Sequence, residues 1–498
     1  MLFRSKNNLL NYLDTTSVSP RQIPSRTLTG GVGIPGLGGT SRQLQNPQKT
    51  NLDPRVGVAY NLNDKTVIHA GFGIFHHPAA AWQQFPNADG GIRTTTSVDS
   101  QANGVTPLSG FQLSNPFPVG LTPPDGNAAG LGIDLGDSIE GPLRRQYIPY
   151  QQNWSLDIQR SLPGSFVVTA AYVGNEGVHL MVNQQLNQLP DSDLALGSKL
   201  LSTVPNPLYG HIDPASSINT PTVKNMQLLR PFPQFQNFEA NNVGIGHSTY
   251  HAAQLTVEHR LNHGLAVVFA YTYSKAIDNV GEMTSVAGTM GAVTDTYCLR
   301  CDRSLSDQNE THVLRWSTRY ELPFGSQKPF LNQGFIKHIV GGWALSATYQ
   351  LDTGRPLAVS YTNVANSGSS STLSRPNMIP GVSAKASGGS QIKLDGTGVY
   401  FNKAAFVATP TYSYGNAPRY LPDVNLPTAW NLDSMVEKNT RIAERYLLSF
   451  RAEFFNTLNN VTFGGPTTSF TSSSFGKEAT LNQANTPRNI QLSLRFTF

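Results

Sequence analysis

RNIQLSLRFTF, residues 488–498, alternates apolar and polar side chains without a break as far as Phe498. Successive side chains of a β-strand point to opposite faces, so this stretch has one apolar face and one polar face. A soluble protein rarely leaves a terminal aromatic residue on an apolar strand face, whereas a membrane barrel turns such a face to lipid. The apolar face is formed by Ile490, Leu492, Leu494, Phe496 and Phe498.

The composition favours short strands joined by long, turn-rich connections. Only 13% of the 498 residues are charged and 39% are hydrophobic, while Gly (45) and Pro (33) are abundant. No apolar run approaches the roughly 20 residues that a membrane-spanning helix needs. If the chain crosses a membrane, it must therefore do so as closed β-structure, which satisfies the backbone hydrogen-bonding groups within lipid.

The two-residue alternation recurs in segments of about ten residues, the length that a tilted membrane strand requires. With the C-terminal stretch, these segments predict an all-β fold: a transmembrane antiparallel β-barrel portion of about 11 strands. The other predicted strands are 55–62, 66–75, 149–160, 165–180, 250–261, 265–274, 312–322, 343–351, 430–436 and 446–454.

Short and long connections alternate between the predicted strands, as in a barrel whose two rims face different compartments. The short turns, at 63–64, 162–164, 262–264 and 439–440, contain Asn, Asp, Gly or Pro, which hairpin turns favour. The connection at 322–338 is of middling length. The long connections are 76–148, 181–249, 275–308, 352–427 and 457–486.

An odd number of strands leaves two unpaired edges, which lipid does not tolerate. Either the pattern misses strands, or this chain is the C-terminal half of a larger barrel. The N-terminal stretch 1–14 lacks the apolar run of a secretory signal peptide, although a barrel must be exported, so the second explanation is favoured. We therefore predict a loop-like N-terminal segment at 1–50 and a barrel portion with long extracellular loops at 51–498, together a fragment of a longer protein.

Several of these segments resemble the C-terminal barrel of TonB-dependent outer-membrane receptors and transporters, and most of all their Oar-like branch. No signal, regulatory-like domain or plug is recognisable in the sequence. The matching stretches are NLDPRVGVAYNLNDKTVIHAGFGIF (51–75), VVTAAYVGNEGVHL (167–180), STYHAAQLTVEHRLNHGLAVVFAYTYSKAID (248–278), VGGWALSATYQLDTGRPL (340–357), RYLLSFRAEFFNTLNNVTFG (445–464) and NTPRNIQLSLRFTF (485–498).

The resemblance implies a 22-stranded barrel in the cell outer membrane that takes up a scarce external solute. It implies contact with outer-membrane lipid, with the barrel-assembly machinery through the C-terminal strand, and with an unknown solute. A TonB complex would be a partner only if a plug and a contact box exist upstream. Two alternatives stay open: a structural or adhesive outer-membrane barrel without energised transport, and a soluble secreted carbohydrate-binding β-protein.

Ten charged residues fall on the polar faces of the predicted strands. In a barrel such faces line the lumen, where charged side chains contact a plug domain or line the path of a solute. In any other β-protein they would form a solvated, ion-paired sheet face. Because these charges alternate with apolar faces, we favour the lumen. The lumen-facing candidates are Glu258, Arg260, Arg315, Arg319, Glu321, Asp433, Glu437, Arg451, Glu453 and Arg495.

Aromatic residues gather near the ends of the predicted strands. This position is typical of the aromatic girdles that a barrel places at the two membrane interfaces. The packed core of a β-sandwich would accommodate the same residues. The candidates are Trp154, Trp316, Trp343, Trp430, Tyr271, Tyr273, Tyr446, Phe496 and Phe498.

Cys298 and Cys301, the two cysteines of the chain, lie in a long connection. A metal site would need a second pair of ligands, and a thioredoxin-like pair would need a strand-to-helix context. We therefore predict a local disulfide in an exposed loop, with free thiols as the alternative.

The sequence carries no motif of an enzyme active site. GxSxG, P-loop, HExxH and GxGxxG patterns are absent, so we predict no catalytic residue, no metal, no cofactor and no bond chemistry. The net charge is +5, but the basic residues are scattered rather than clustered with aromatic ones. Nucleic acid is therefore not an expected partner.

Overall fold

The computed structural model describes residues 10–498 except 46–47, 49, 78–95, 97–105, 107–109, 111, 113, 119, 122, 281–292, 362–373, 387–397, 443–444 and 478–482. Eleven long strands follow the chain in one antiparallel meander. The predicted all-β fold class is confirmed. The strands are β1 (Arg55–Asn63), β2 (Thr66–His76), β3 (Tyr150–Leu162), β4 (Phe166–Gln185), β5 (Phe238–Asn262), β6 (Leu265–Asp278), β7 (His312–Glu321), β8 (Trp343–Asp352), β9 (Ala429–Ile442), β10 (Tyr446–Phe455) and β11 (Asn489–Thr497).

Shorter elements lie in the connections and in the N-terminal segment. The short strands are Tyr12–Val18, Thr29–Gly33, Ile139–Pro142, Thr203–Pro205, Thr222–Lys224, Ser304–Leu305, Asn377–Met378 and Phe406–Val407. Two short α-helices, Asn225–Leu229 and Ile336–Val340, and four 3₁₀ segments, Asn127–Gly132, Asp191–Leu201, Leu299–Asp302 and Lys403–Ala405, complete the described elements.

All eleven predicted strands correspond to observed strands, but β4 and β5 are longer than predicted. Beyond the membrane-length part they pair with each other, for example Gly244 with Met181 and Glu239 with Gln185. Phe238 and Val243 of this extension are buried in an apolar cluster. The prediction of a connection over 181–249 was therefore wrong at both ends, because packed loops support the two strands beyond their membrane-length part.

The predicted turn at 439–440 was also wrong. Asn439 pairs with Ser449 and Thr440 with Leu448, both inside the β9–β10 ladder, which continues to Ile442. The turn preference of Asn is overridden by this pairing and by a hydrogen bond from the Ser449 hydroxyl to Asn439 Oδ1 (2.6 Å).

The strand register places the apolar side chains on one continuous side of the sheet, which we call the apolar face. Leu492 and Leu494 on β11 are 65% and 69% exposed, and Phe498 is 91% exposed. Trp316, Tyr273, Tyr446 and Phe496 of the proposed girdles are exposed as well. No second sheet among the described residues covers these side chains, so the sandwich-core alternative is wrong.

The sheet is open in the described part of the chain. β1 pairs there with β2 alone, and β11 with β10 alone. Because the number of strands is odd, β1 and β11 run in the same direction, from the rim of the long connections to the rim of the short turns. We call these the long-loop rim and the short-turn rim.

The buried apolar cores lie in the long connections and in the extensions of β4 and β5, rather than against the membrane-length part of the sheet. One cluster includes Phe235, Phe238 and Ile133, and it is joined by Leu28 and Val32 from the N-terminal segment. The other is built around Tyr400, Phe401 and Leu421. The segment predicted to be loop-like at 1–50 thus contributes a two-stranded sheet to the first cluster.

Candidate functional site

The side of the sheet opposite the apolar face, which we call the polar face, carries most of the predicted lumen residues. The register links four neighbouring strands, since Glu437 lies opposite Arg451 and Ala344, and Ala344 lies opposite Glu321. Nine of the ten candidates share this face: Glu258, Arg315, Arg319, Glu321, Asp433, Glu437, Arg451, Glu453 and Arg495.

Glu437 is the centre of the best-defined charge network on the polar face. Arg319 Nη1 is 2.7 Å from its Oε2, and Arg451 Nε is 3.3 Å from its Oε1. The Glu437 side chain is only 5% exposed. Both oxygens of a nearly buried carboxylate therefore bind a guanidinium, which is the arrangement that offsets the cost of removing a charge from water.

Two further ion pairs lie toward the two rims. Arg315 Nη2 is 2.7 Å from Asp352 Oδ1 near the long-loop rim. Lys328 Nζ, in the connection between β7 and β8, is 3.2 Å from Glu321 Oε2 at the short-turn rim. Asp352 was missed in the sequence, although it continues the polar alternation of β8 by one residue.

Five predicted residues are not drawn into these pairs, and one of them, Asp433, accepts hydrogen bonds instead. Glu258, Glu453 and Arg495 have the expected register, but they form no ion pair with any residue that the structure describes. The same is true of Arg260, which lies where the β5–β6 pairing becomes irregular before the turn. Their lumen position stays a prediction.

A cavity of 530 Å³ opens at the long-loop rim of the polar face. Its wall combines the strand residues Gln350 and Asn431 with Asn485 from the connection before β11. Asp352 and Asp433 add two carboxylates. The volume is in the range of small-molecule sites, and the lining is rich in hydrogen-bonding groups.

The cavity wall is held in place by Asn456. This buried side chain donates through Nδ2 to the carbonyls of Asn460 (2.8 Å) and Thr486 (3.1 Å). Its own backbone N–H donates to Asp433 Oδ1 (2.7 Å). Asn456 thus holds the loop before β11 against β9. The wall of the cavity is therefore fixed by hydrogen bonds, and the cavity is preformed.

Buried Arg375 and half-buried Arg419 join the β8–β9 connection to the β6–β7 connection and to the end of β6. Arg375 Nη2 is 2.7 Å from Asp302 Oδ1, and the two side chains are 8% and 4% exposed. Arg419 Nη2 binds the carboxylate of Asp278, and burial lowers the pKa of Arg419 to about 10. These pairs could not be read from the sequence, because they depend on how two separate loops pack.

Cys298 and Cys301 are joined by a disulfide, with their Cα atoms 5.4 Å apart. The loop that contains them packs on the start of the β4–β5 connection, where Gln188 Nε2 donates to Asp295 Oδ1 (2.7 Å). Burial, and then the neighbouring Asp295 carboxylate, raise the pKa of Asp191 to about 6.

Among the described residues there is no group of three or more His, Cys, Asp or Glu side chains placed to bind a metal ion. The described helices include none that is long and apolar enough to span a membrane.

The family described as outer membrane beta barrel domain matches residues 2–491 of this chain. The chain belongs to the outer membrane beta barrel domain family. No curated protein matches the sequence. Membership of this family places the chain in the cell outer membrane, and it identifies lipid as the medium around the exposed apolar face. The alternative of a soluble secreted protein is therefore wrong.

Solved structures resemble this outer membrane barrel domain at low sequence identity. The outer membrane transporter YddB of Escherichia coli is 10% identical, with a TM-score of 0.39 over 90% of this chain and 40% of that one. The pyoverdine outer membrane receptor FpvA of Pseudomonas aeruginosa is 13% identical, with a TM-score of 0.36 over 94% and 39%. The ferric-catecholate import receptor Fiu of Escherichia coli is 9% identical, with a TM-score of 0.35 over 97% and 39%. This chain thus spans about two fifths of the length of these structures, all of which are described as transporters or receptors.

Proposed function

We propose that this chain is the barrel portion of a TonB-dependent outer-membrane receptor of the Oar-like kind, which takes up a scarce external solute. The observation that carries the proposal is a single sheet with an exposed apolar face, a charged opposite face, and packed loops at one rim. A pore-forming or receptor barrel needs all three, whereas a purely structural barrel needs no organised charge on its inner side.

The parity of the strands supports the view that this sheet is half of a 22-stranded barrel. β1 and β11 run in the same direction, so joining them directly, or joining two symmetric copies, would create parallel pairs. An all-antiparallel closure instead requires an odd number of additional strands between the two edges. Eleven further strands would satisfy this requirement.

In the proposed mechanism the solute first meets the packed loops and the cavity that Asn456 frames. Amide and carboxylate groups line this cavity, so a neutral or cationic polar solute suits it better than an anion. Passage then follows the polar face, where the Arg319–Glu437–Arg451 network offers charges to a plug or to the solute. The barrel itself makes and breaks no bonds.

Depletion of solutes from a defined medium tests the proposal even while the solute is unidentified. A strain with the intact gene, a deletion strain, and a strain without the TonB energising complex are grown under starvation, and the medium is analysed by mass spectrometry. We expect a solute that only the first strain removes. Equal depletion by all three strains would favour the structural or adhesive alternative.

A further inference from the structure

Charged side chains on the apolar face are confined to its two rims. In the described strands they are Arg160 and Lys438 at the short-turn rim and Glu176 and Lys275 at the long-loop rim. Lys275 is ten positions along β6 from Leu265, which is roughly 33 Å along the strand and about 25 Å of height at a tilt of about 40°. Lys275 therefore lies where the hydrocarbon ends and the headgroups begin.

Two histidines flank Lys275 at this height. His251 lies directly opposite Lys275 in the β5–β6 ladder, and His312 lies opposite Tyr273, one step below Lys275 on the same face. Lys275 and His251 are both exposed. Within the described chain Lys275 forms no ion pair, so its charge is available to an external anion. We call Lys275, His251 and His312 the rim triad.

Aromatic residues fix the two histidines of the rim triad and extend its surface. The hydroxyl of Tyr172 lies 2.8 Å from His251 Nδ1, and that of Tyr271 lies 2.7 Å from His312 Nδ1. Each histidine therefore uses Nδ1 within the protein, and among the described residues its Nε2 has no hydrogen-bond partner, so it is left for a ligand. Trp154 lies over Gly174, where any side chain would collide with its ring, and its ring centroid is 6.0 Å from that of His251.

We propose that the rim triad binds a phosphate group of a phosphorylated glycolipid in the outer leaflet. A lysine and two imidazoles at the headgroup level offer charge and N–H donors to phosphate oxygens. The neighbouring aromatic faces offer flat apolar surfaces to the CH groups of a sugar ring. The long-loop rim is the one that faces outward in barrels of this type, so the lipid comes from the outer leaflet.

Within the described strands, Glu176 is the one acidic residue on this part of the apolar face. It lies opposite Thr249, one step above Gly174, and thus on the far side of His251 from Lys275. A phosphate seated between Lys275 and His312 avoids it. Glu310, two residues before His312, is paired with Arg355, whose Nε lies 3.1 Å from Glu310 Oε1. We therefore expect the phosphate to bind on the β7 side of Lys275 rather than on the β4 side.

Lipid retention by the full-length protein tests the proposal. The protein is extracted from outer membranes in mild detergent, and bound phosphorylated glycolipid is counted by native mass spectrometry. We expect His251→Ala/Lys275→Ala to weaken retention at least about fivefold, the effect of one basic charge at a membrane surface. Arg160→Gln, which removes a charge from the same face at the opposite rim, should leave retention unchanged.

Three results would overturn the proposal. One is equal retention by the double variant, provided that its heat-modifiable folded band matches that of the parent protein. Another is equal binding of the same glycolipid after its phosphates have been removed enzymatically. The third is displacement of the glycolipid by millimolar inorganic phosphate, which would mean that the triad is a site for the free ion.

Discussion

Arg319 and Glu437 form a 2.7 Å ion pair although they lie on strands that are not neighbours. β8 passes between β7 and β9, and the residues that it places under the pair are Ala344 and Ser346. Ala344 is buried. Because Ala344 and Ser346 are small, the Arg319 guanidinium can extend across β8 to Glu437. The ion pair therefore connects β7 with β9 across β8.

Removing the carboxylate of Glu437 should weaken the sheet. Glu437→Gln leaves Arg319 and Arg451 close together without the group that both contact, so we expect the free energy of unfolding to fall by about 2 kcal/mol. Urea unfolding of the full-length protein in lipid vesicles measures this loss. Glu453→Gln, on the same face of the adjacent strand, is the matched control and should change the free energy by less than about 0.5 kcal/mol. Equal effects of the two substitutions would show that the network adds no stability.

The two faces of the sheet should respond oppositely to a new charge at the same depth. Ala347 points to the apolar face in the middle of β8, and Thr348, the next residue, points to the polar face. We expect Ala347→Arg to destabilise the protein in lipid by about 2–4 kcal/mol and Thr348→Arg to be nearly neutral. Vesicle unfolding and the amount assembled in the outer membrane report both values. A neutral Ala347→Arg would contradict the assignment of the apolar face to lipid.

The buried pair Asp302–Arg375 should hold two loops together more strongly than the more exposed pair Glu310–Arg355. The side chains are 8% and 4% exposed in the first pair, but 49% and 30% exposed in the second. Arg375→Met leaves a buried carboxylate without its cation, and we expect a local loss of about 3–5 kcal/mol. Hydrogen exchange of the backbone around 294–306 should accelerate accordingly. Glu310→Gln should change exchange by no more than about 1 kcal/mol, and the reverse order would refute the assignment.

Packing of the disulfide loop should depend on pH. The pKa of Asp191 is raised to about 6 by burial and by Asp295, so the folded loop favours the protonated form. Its contribution to stability is therefore present below the ordinary aspartate pKa and is lost as the pH rises through about 6. The effect is modest because the residue as a whole stays exposed, although its carboxyl group is partly desolvated. Thermal unfolding between pH 4 and pH 8 should show this loss in the parent protein and in Asp193→Asn, but not in Asp191→Asn.

The strands and their faces were predictable from the sequence because a two-residue period is a local signal. The segment 265–274 fixes which side chains share a face, and the tight turn at 262–264, with His263 and Gly264 at positive φ, closes its hairpin. The orientation of apolar residues toward lipid therefore depends on no distant contact.

The ion pairs were not predictable, because the two-residue alternation of side chains does not by itself set the register between neighbouring strands. A connection of more than twenty residues separates β7 from β8, so nothing local says that Ala344 lies opposite both Glu321 and Glu437. The same holds for the loop cores, where Phe235 packs near Leu28 across about two hundred residues of chain. The ion pairs and the loop cores both depend on contacts between segments that are remote in sequence. The apolar/polar alternation within a strand does not predict such contacts.

The clustering of apolar side chains in the long connections dictates an order of assembly. Strands enter the bilayer from the compartment of the short turns, so every long connection must cross before it reaches its final place. A packed core around Tyr400 or Phe235 cannot cross lipid, since its polar backbone would have to be dehydrated along with it. The two apolar clusters must therefore fold last, at the long-loop rim. Once folded there, they hinder the inserted hairpins from sliding back through the membrane.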